Sequence, residues 1–332
     1  MSNPEQRRLA RIARRFPGRR IAVLGDFMLD EFLRGEATRI SPEAPVAVVL
    51  IPGQSRAVGY PGGAGNVAGN LAALGAEPLL LGAIGKDESG RRLVRLLRDR
   101  SMSTETLICE RGRVTPRKMR IVAHQHQLLR LDFESDLIIS AVSARRVIEI
   151  FKRNLSRVEA LIISDYGKGS VTPDLCREMI SLARSRELPV FVDPKPEHAA
   201  ICDQATVVTP NLQEAEKMAG MPMRNSREIE MGGRRLLEMF GCDYLLVTRG
   251  AQGMTILPKR GRPHEIHSVP RPVYDVTGAG DTVLAVVALA YCSGASMPDA
   301  AQLANLAGGR VVLKFGTSEI TLKELLSAIQ EA

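Results

Sequence analysis

The chain of 332 residues predicts an α/β fold, a mostly parallel central sheet flanked by helices with a small β-sheet outside it. Three observations predict it. Short apolar segments alternate with helical patterns over almost the whole length. Four of those segments end in Asp26, Asp165, Asp193 and Thr248, polar residues at the carboxyl edge where such sheets hold ligands. Two stretches, 32–60 and 111–134, break the alternation and read as antiparallel strands of a small separate sheet, a candidate lid.

The elements follow in order. RRLARIARRF (7–16) sets Leu9, Ile12, Ala13 and Phe16 at helical spacing among arginines. Residues 1–19 therefore read as a basic surface helix docked on the core, with a polyanion or membrane-surface contact as the alternative. RIAVLGD (20–26) is a buried strand, and GNVAGNLAALG (65–75) a helix closed by Gly75. PLLLGAIG (78–85) reads as one strand and SGRRLVRLLRDR (89–100) as an amphipathic helix. EALIISD (159–165), LPVFVDP (188–194), ATVVTP (205–210) and CDYLLVT (242–248) are further short strands. His124 and His126 alternate with glutamines and read as lid surface or pairing rather than metal ligands. No repeat or second domain boundary interrupts residues 1–332, so a single domain is expected.

Composition excludes several function classes. The net charge of +8 is mostly local: residues 1–20 hold seven arginines against Glu5, or +6, which leaves +2 for the remainder. With no Trp and 4% aromatic residues, stacking platforms for nucleic acid are not expected. The longest apolar run, 283–292, is too short for a membrane span. Five scattered cysteines without a C-x-x-C pair point to neither a disulfide framework nor a zinc site, and so to a reducing cytoplasm.

YDVTGAGDTV (274–283) leads directly into AVVALAYC. Glycines before a buried apolar helix make a turn whose exposed N–H groups favour an anion. The alternative is a plain helix cap by Asp281. No P-loop, zinc helix, nucleophile elbow or protein-kinase catalytic loop occurs.

PGGAGNVAGNLAALG (61–75), SDYGKG (164–169), DPK (193–195), PNLQEAE (210–216), VTRGAQG (247–253) and DVTGAGDT (275–282) occur in that order. This combination resembles the PfkB-type, ribokinase-like family of sugar kinases over roughly residues 20–320. Within it, RISPEAPVAVV (39–49), QLLRLDFE (127–134), SDYGKG and KFGTS (314–318) resemble the subgroup acting on D-glycero-β-D-manno-heptose 7-phosphate. Some of that subgroup carry a following nucleotidyltransferase domain. The few residues after KFGTS and the lack of H-x-G-H make the resemblance one to the kinase-only form.

The resemblance implies a ribokinase-like fold and an ATP- and Mg²⁺-dependent kinase. Gly278, Ala279 and Gly280 would aim backbone N–H groups at the transferring phosphoryl, with Asp281 as the base. Asn211 and Glu214 would help hold Mg²⁺ mostly through water, although N-x-x-E is also ordinary helix-cap chemistry. Lys168 and Lys195 would meet phosphate charge or stand solvated. Thr248, Gly250, Gly253, Asn305 and Gly308 fall on the nucleotide side. Asp275, Thr277 and Gly316 would form a monovalent-cation (K⁺) site or simply shape a loop. Asp26, Asp30, Gly62, Gly63 and Asn66 would face the sugar, with Asp26 alternatively capping a turn. Arg117, Lys118 and Arg120 would grip the remote phosphate or merely charge a strand edge; alternation lets at most two face the site.

The expected activity is phosphorylation of the C1 hydroxyl of heptose 7-phosphate in the cytoplasm, supplying activated heptose for lipopolysaccharide. Partners are the sugar phosphate and ATP, with a homodimer through the lid and neither nucleic acid nor membrane. The alternatives are a kinase of another sugar or sugar phosphate, a non-catalytic sugar- or nucleotide-responsive regulator, and a nucleic-acid binder driven by the arginines.

Overall fold

The computed structural model describes residues 3–53, 57–123, 126–135, 137–268 and 274–332, so His124 lies outside the described residues. The strands are β1 (Arg20–Gly25), β2 (Phe27–Ile40), β3 (Ala47–Leu50), β4 (Val58–Gly63), β5 (Glu77–Leu81), β6 (Ala83–Gly85), β7 (Ile108–Glu110) and β8 (Arg117–Ala123). They continue as β9 (His126–Phe133), β10 (Ala160–Ser164), β11 (Val190–Asp193), β12 (Val207–Val208), β13 (Tyr244–Thr248), β14 (Met254–Pro258) and β15 (His264–Ile266). The helices are α1 (Pro4–Ala13), α2 (Ala64–Ala73), α3 (Glu88–Arg98), α4 (Ala141–Asn154) and α5 (Pro173–Arg184). The rest are α6 (Leu212–Ala219), α7 (Ser226–Phe240), α8 (Ala279–Cys292), α9 (Met297–Val311) and α10 (Leu322–Glu331).

The main sheet runs in the order β15-β14-β13-β12-β11-β10-β1-β5. It is parallel from β5 through β13, and β14 and β15 close one edge antiparallel. Alternation divides its strands between two cores. Ile21 and Val23 of β1 face one cluster with α1, α2, α3, α8, α9 and α10, while Ala22 and Leu24 face another with α4, α5, α6 and α7. Helix α8 is buried at every position from Asp281 to Ala290, the reason its sequence is apolar all round.

The five strands β2, β3, β4, β8 and β9 form a second sheet, which begins at Phe27, earlier than its sequence pattern implies. Strands β3 and β4 pair antiparallel with β2, and β9 with β8, but β2 and β8 run parallel, contrary to the all-antiparallel expectation. Both set out from the main body. β2 follows β1 directly, and Thr115, just before β8, donates its N–H and hydroxyl to Asp87 at 2.7 and 2.8 Å. The stretch read as one strand at 78–85 divides: β5 stays in the main sheet, and β6 pairs with β7.

Helix α1 opens with a capping box between Asn3 and Gln6 and buries Leu9, Ile12 and Ala13, followed by Phe16. It lies against α10 and α9, and Arg8 bonds Asp299 at 2.8 Å. The arginine-rich segment therefore supplies core. Phe16→Ala should cost about 3–5 kcal/mol in denaturant unfolding; a loss under about 1 kcal/mol would mean that this segment only lies on the surface.

Candidate active site at the carboxyl ends of the parallel strands

Asp281 stands in the first turn of α8, after Gly278 in the left-handed conformation (φ 80°). It is 2% exposed. One carboxylate oxygen accepts from Asn66 Nδ2 at 2.7 Å and the other from the Tyr166 hydroxyl at 2.8 Å. Burial pushes the carboxyl up to about 6, against the pull of these two bonds; the charge of Asp30 adds to the rise and Lys195 opposes it. Asn66 also donates to the Gly278 carbonyl at 3.3 Å. Asn70, one turn further along α2, donates to the Asn66 side-chain oxygen, and its own oxygen accepts from Thr282 Oγ1 and the Ile320 N–H, both at 3.1 Å. A buried polar chain thus joins α2, α8 and the segment before α10.

Tyr166 lies in the turn after β10, and Asp26 builds that turn. The Asp26 carboxylate accepts from the N–H groups of Tyr166, Lys168 and Ser170 at 2.9, 3.0 and 2.8 Å and is 1% exposed. These bonds are those of the turn-capping alternative for Asp26, and they leave an acceptor position on its carboxylate. Burial raises its pKa in spite of those bonds. Asp165 likewise accepts from the Gly167 and Lys195 N–H groups and meets His198 Nδ1 at 2.9 Å. Asn66 is buried, and its amide nitrogen donates to both Asp281 and the Gly278 carbonyl.

Alternation sorts the three cations of β8. Arg120 donates to Asp30 at 2.6 Å, and the Lys118 ammonium lies 5.8 Å from the Tyr166 ring centroid. Arg117 points the other way, stacked over Phe133 and 3.5 Å from Glu31, which also accepts from Arg92 of α3. Arg117 therefore does not join the other two. Burial and the nearby Lys168 charge lower the Lys118 pKa, which Asp30 partly restores. Lys168 itself pairs with Glu134 at 2.7 Å. Gly62 has no side chain because a Cβ there would strike the Asp30 carboxylate, and Gly63 begins α2 beside Tyr166.

Toward the other side, the Lys195 ammonium sits 5.3 Å from the Tyr166 ring centroid and bonds Glu214 at 2.7 Å. Burial lowers the Lys195 pKa, but the Glu214 pairing outweighs it and the net shift is upward. Glu214 and Asn211 form the capping box of α6, and the Thr248 N–H donates to the Pro210 carbonyl at 3.0 Å. Asp193 is held well above the carboxylate range by burial, then by the charges of Glu214 and Asp281. A continuous row therefore runs from Asp30 through Lys118, Tyr166, Asp281 and Lys195 to Glu214, Asn211 and Thr248.

Other residues are placed less directly. The Ala279 N–H donates to the Val276 carbonyl at 3.2 Å, so it is taken up by the turn, whereas Gly280 is exposed. Gly250 and Gly253 bound a 3-10 turn after β13. Asn305 on α9 holds the His267 carbonyl at 3.0 Å and Ser268 at 3.1 Å, and the half-buried Gly308 follows one turn later. Asp275 accepts from the Thr277 N–H and hydroxyl and from the Gly316 N–H, which brings these three together as a hydrogen-bonded loop. Among the described residues no group of three or more His, Cys, Asp or Glu is spaced to hold a metal ion. No helix among them is long and apolar enough to cross a membrane. Sequence reasoning missed Tyr166 and Asn70. The signals were a tyrosine inside SDYGKG and two asparagines one turn apart in an otherwise apolar helix.

The family model described as pfkB family carbohydrate kinase matches residues 20–324. "Bifunctional protein HldE" of Geobacter sulfurreducens is 40% identical over 307 residues, covering 92% of this chain and 62% of that protein. The protein of the same name from Caulobacter vibrioides is 40% identical over 325 residues, covering 98% of this chain and 66% of its own length. The chain thus spans less than two thirds of these relatives. Phosphofructokinase-2 from Escherichia coli, solved with substrates and products, superposes with a TM-score of 0.76 at 19% identity, covering 94% of this chain and 98% of the other. Arabidopsis thaliana ribokinase, solved with ribose and ATP, gives 0.74 at 18%, covering 95% and 99%. These structural likenesses establish a ribokinase-like fold.

A Cβ at Gly278 would collide with Asn66 Nδ2 on a left-handed backbone, whereas one at Gly280 meets nothing within 4 Å. Gly278→Ala should therefore lose at least about 1–2 kcal/mol in unfolding experiments. Gly280→Ala should be close to neutral in the same measurement, and equal losses would contradict this geometry.

Proposed function

We propose that this chain, which belongs to the pfkB family of carbohydrate kinases, transfers the γ-phosphoryl group of ATP to the C1 hydroxyl of D-glycero-D-manno-heptose 7-phosphate. Family membership makes it a phosphotransferase. The choice of heptose rests on the subgroup motifs, and the product would supply activated heptose for lipopolysaccharide in the cytoplasm. The observation that carries the mechanism is the buried Asp281 carboxylate, set at a helix N-terminus with its pKa pushed up to about 6. A base near that value is ionised at neutral pH and accepts a proton late, as the acceptor oxygen bonds to phosphorus. The Gly278–Gly280 turn brings the positive end of the α8 dipole to the developing charge.

Two ends of the row suit the two substrates. Asp30 and Gly62 offer a carboxylate and close backbone approach to sugar hydroxyls, while Lys118 and Lys168 face the remote phosphate. Lys195 meets the nucleotide phosphates, with Thr248, Gly250, Gly253, Asn305 and Gly308 on the nucleoside side. Asn211 and Glu214 would hold Mg²⁺ through water. The donor set fits, since the carboxylates of Glu214 and Asp193 are mutually repulsive and a hard cation would relieve them. Bound there, the ion neutralises phosphate charge. Asp275, Thr277 and Gly316, drawn into one hydrogen-bonded loop, are the candidate for a potassium site.

The small sheet would serve as both lid and dimer contact. It exposes Ile40, Leu50, Leu129, Leu131 and Phe133, and among the described residues β9 is an open edge strand. A homodimer through this surface should appear in sedimentation as twice the 36.2 kDa chain mass. Leu131→Glu should shift it to monomer, and a monomeric parent would refute the contact.

Asp281→Asn should lower kcat by about 10²–10⁴ with small changes in KM. In the parent, kcat/KM should fall as pH drops through about 6, because protonation removes the base. Near-normal turnover by the Asn variant would make Asp281 a mere cap. Lys118→Ala should raise KM for heptose 7-phosphate roughly 10- to 100-fold, the loss of one charge-assisted contact, with little effect on KM for ATP. Arg117→Ala should leave the sugar KM unchanged. A panel of sugars and sugar phosphates in an ADP-release assay separates this substrate from that of another sugar kinase.

A further inference from the structure

We propose that Tyr166 is a positioning residue for the base: its hydroxyl orients the Asp281 carboxylate and yields one oxygen to the incoming acceptor hydroxyl. The inference rests on Asp281 acting as the base. Asn66 cannot be the group that yields. Its amide is fixed at 2.7 Å on Asp281 Oδ2, is tied to the Gly278 carbonyl, and is braced by Asn70. Tyr166 is different. Its ring projects from a turn anchored by Asp26, and its phenol bonds only Asp281 Oδ1 among the described residues.

Oδ1 is therefore the oxygen open to exchange. The acceptor O–H replaces the phenol O–H as the donor to Oδ1. As the acceptor oxygen forms its bond to phosphorus, its proton passes to Oδ1 and ADP leaves with the electron pair of the broken P–O bond. The phenol stays protonated throughout, since burial and the neighbouring Asp281 charge hold its pKa well above the ordinary tyrosine value.

Until that exchange, the phenol stabilises the ionised carboxylate. The other groups facing Asp281 are Asn66 of α2, Asp30 of β2, and Asp193 and Lys195 at the end of β11. Asp30 opposes ionisation of Asp281, while Lys195 and Asn66 favour it; Asp193, itself pushed up by the Asp281 charge, is the later of the two to ionise. Lys118 and Lys195 both approach the Tyr166 ring, so the phenol sits where the proposed sugar-phosphate and nucleotide sides meet. Removing its donated bond leaves burial and the Asp30 charge less opposed, and the base titrates higher.

The test is the pH profile of kcat/KM for three enzymes beside the parent: Tyr166→Phe, Tyr166 replaced by the more acidic 3-fluorotyrosine, and Asp281→Asn. Tyr166→Phe should move the acidic limb upward by roughly 1–2 pH units, the effect of one hydrogen bond to a charged group, and change the rate above the limb far less. The fluorinated phenol is a stronger donor and should move the limb downward; being nearly isosteric, it decides the matter if Tyr166→Phe fails to fold. An unmoved limb with the fluorinated residue overturns the role of Tyr166 while Asp281→Asn still loses its rate. If Asp281→Asn keeps the parent rate and profile, the base assignment fails first and this inference with it.

Discussion

The Asp281 carboxylate is withdrawn from water at the start of an apolar helix, where loss of solvation opposes its charge and two donors with the helix dipole support it. The surrounding architecture maintains that balance. Helix α8 is buried on every side, so α2 and α9 must pack against it, and α2 brings Asn66 within reach of the carboxylate. The parallel strands deliver the remaining parts from their carboxyl ends, with Tyr166 after β10, Lys195 after β11 and Thr248 at the end of β13. A packed helix and a sheet edge thus hold one ionisable group between two sets of charged side chains.

The small sheet divides its labour by alternation. Asp30 and Arg120 meet on one face, whereas Glu31 meets Arg92 and Arg117 on the other. Neighbouring residues on one strand therefore do unlike things. One face carries Lys118 toward Tyr166, and the other fastens the sheet to α3 of the main body. The register of β2 against β8 sets these partners, with Lys118 opposite Asp30 and Met119 opposite Glu31.

Much of this was legible in the residues. The alternating strands and helices, the glycine turn before α8 and the order of the motifs all declare themselves over short windows. The pairing of β2 with β8 does not, since side-chain alternation is identical in parallel and antiparallel strands. Nor could spacing tell what Asp26 and Asp30 bond. Both are aspartates near one strand end, and only the folded turn at 166–170 shows that Asp26 is taken up by backbone N–H groups. Tyr166 was hidden for a related reason. Its role depends on a contact across 115 residues of sequence, and in SDYGKG the lysine and glycines draw attention first. The apolar stripe of α1 was legible among its arginines, since Leu9, Ile12, Ala13 and Phe16 turn inward as their helical spacing requires.

The central claim is that this site transfers phosphate to an anomeric hydroxyl, and phosphorus NMR of the product tests it most directly. With ATP, Mg²⁺ and heptose 7-phosphate, the account predicts one new phosphomonoester resonance coupled to the C1 proton, formed in step with ADP. Phosphate appearing on another carbon, or ADP accumulating with inorganic phosphate and no new ester, would contradict it.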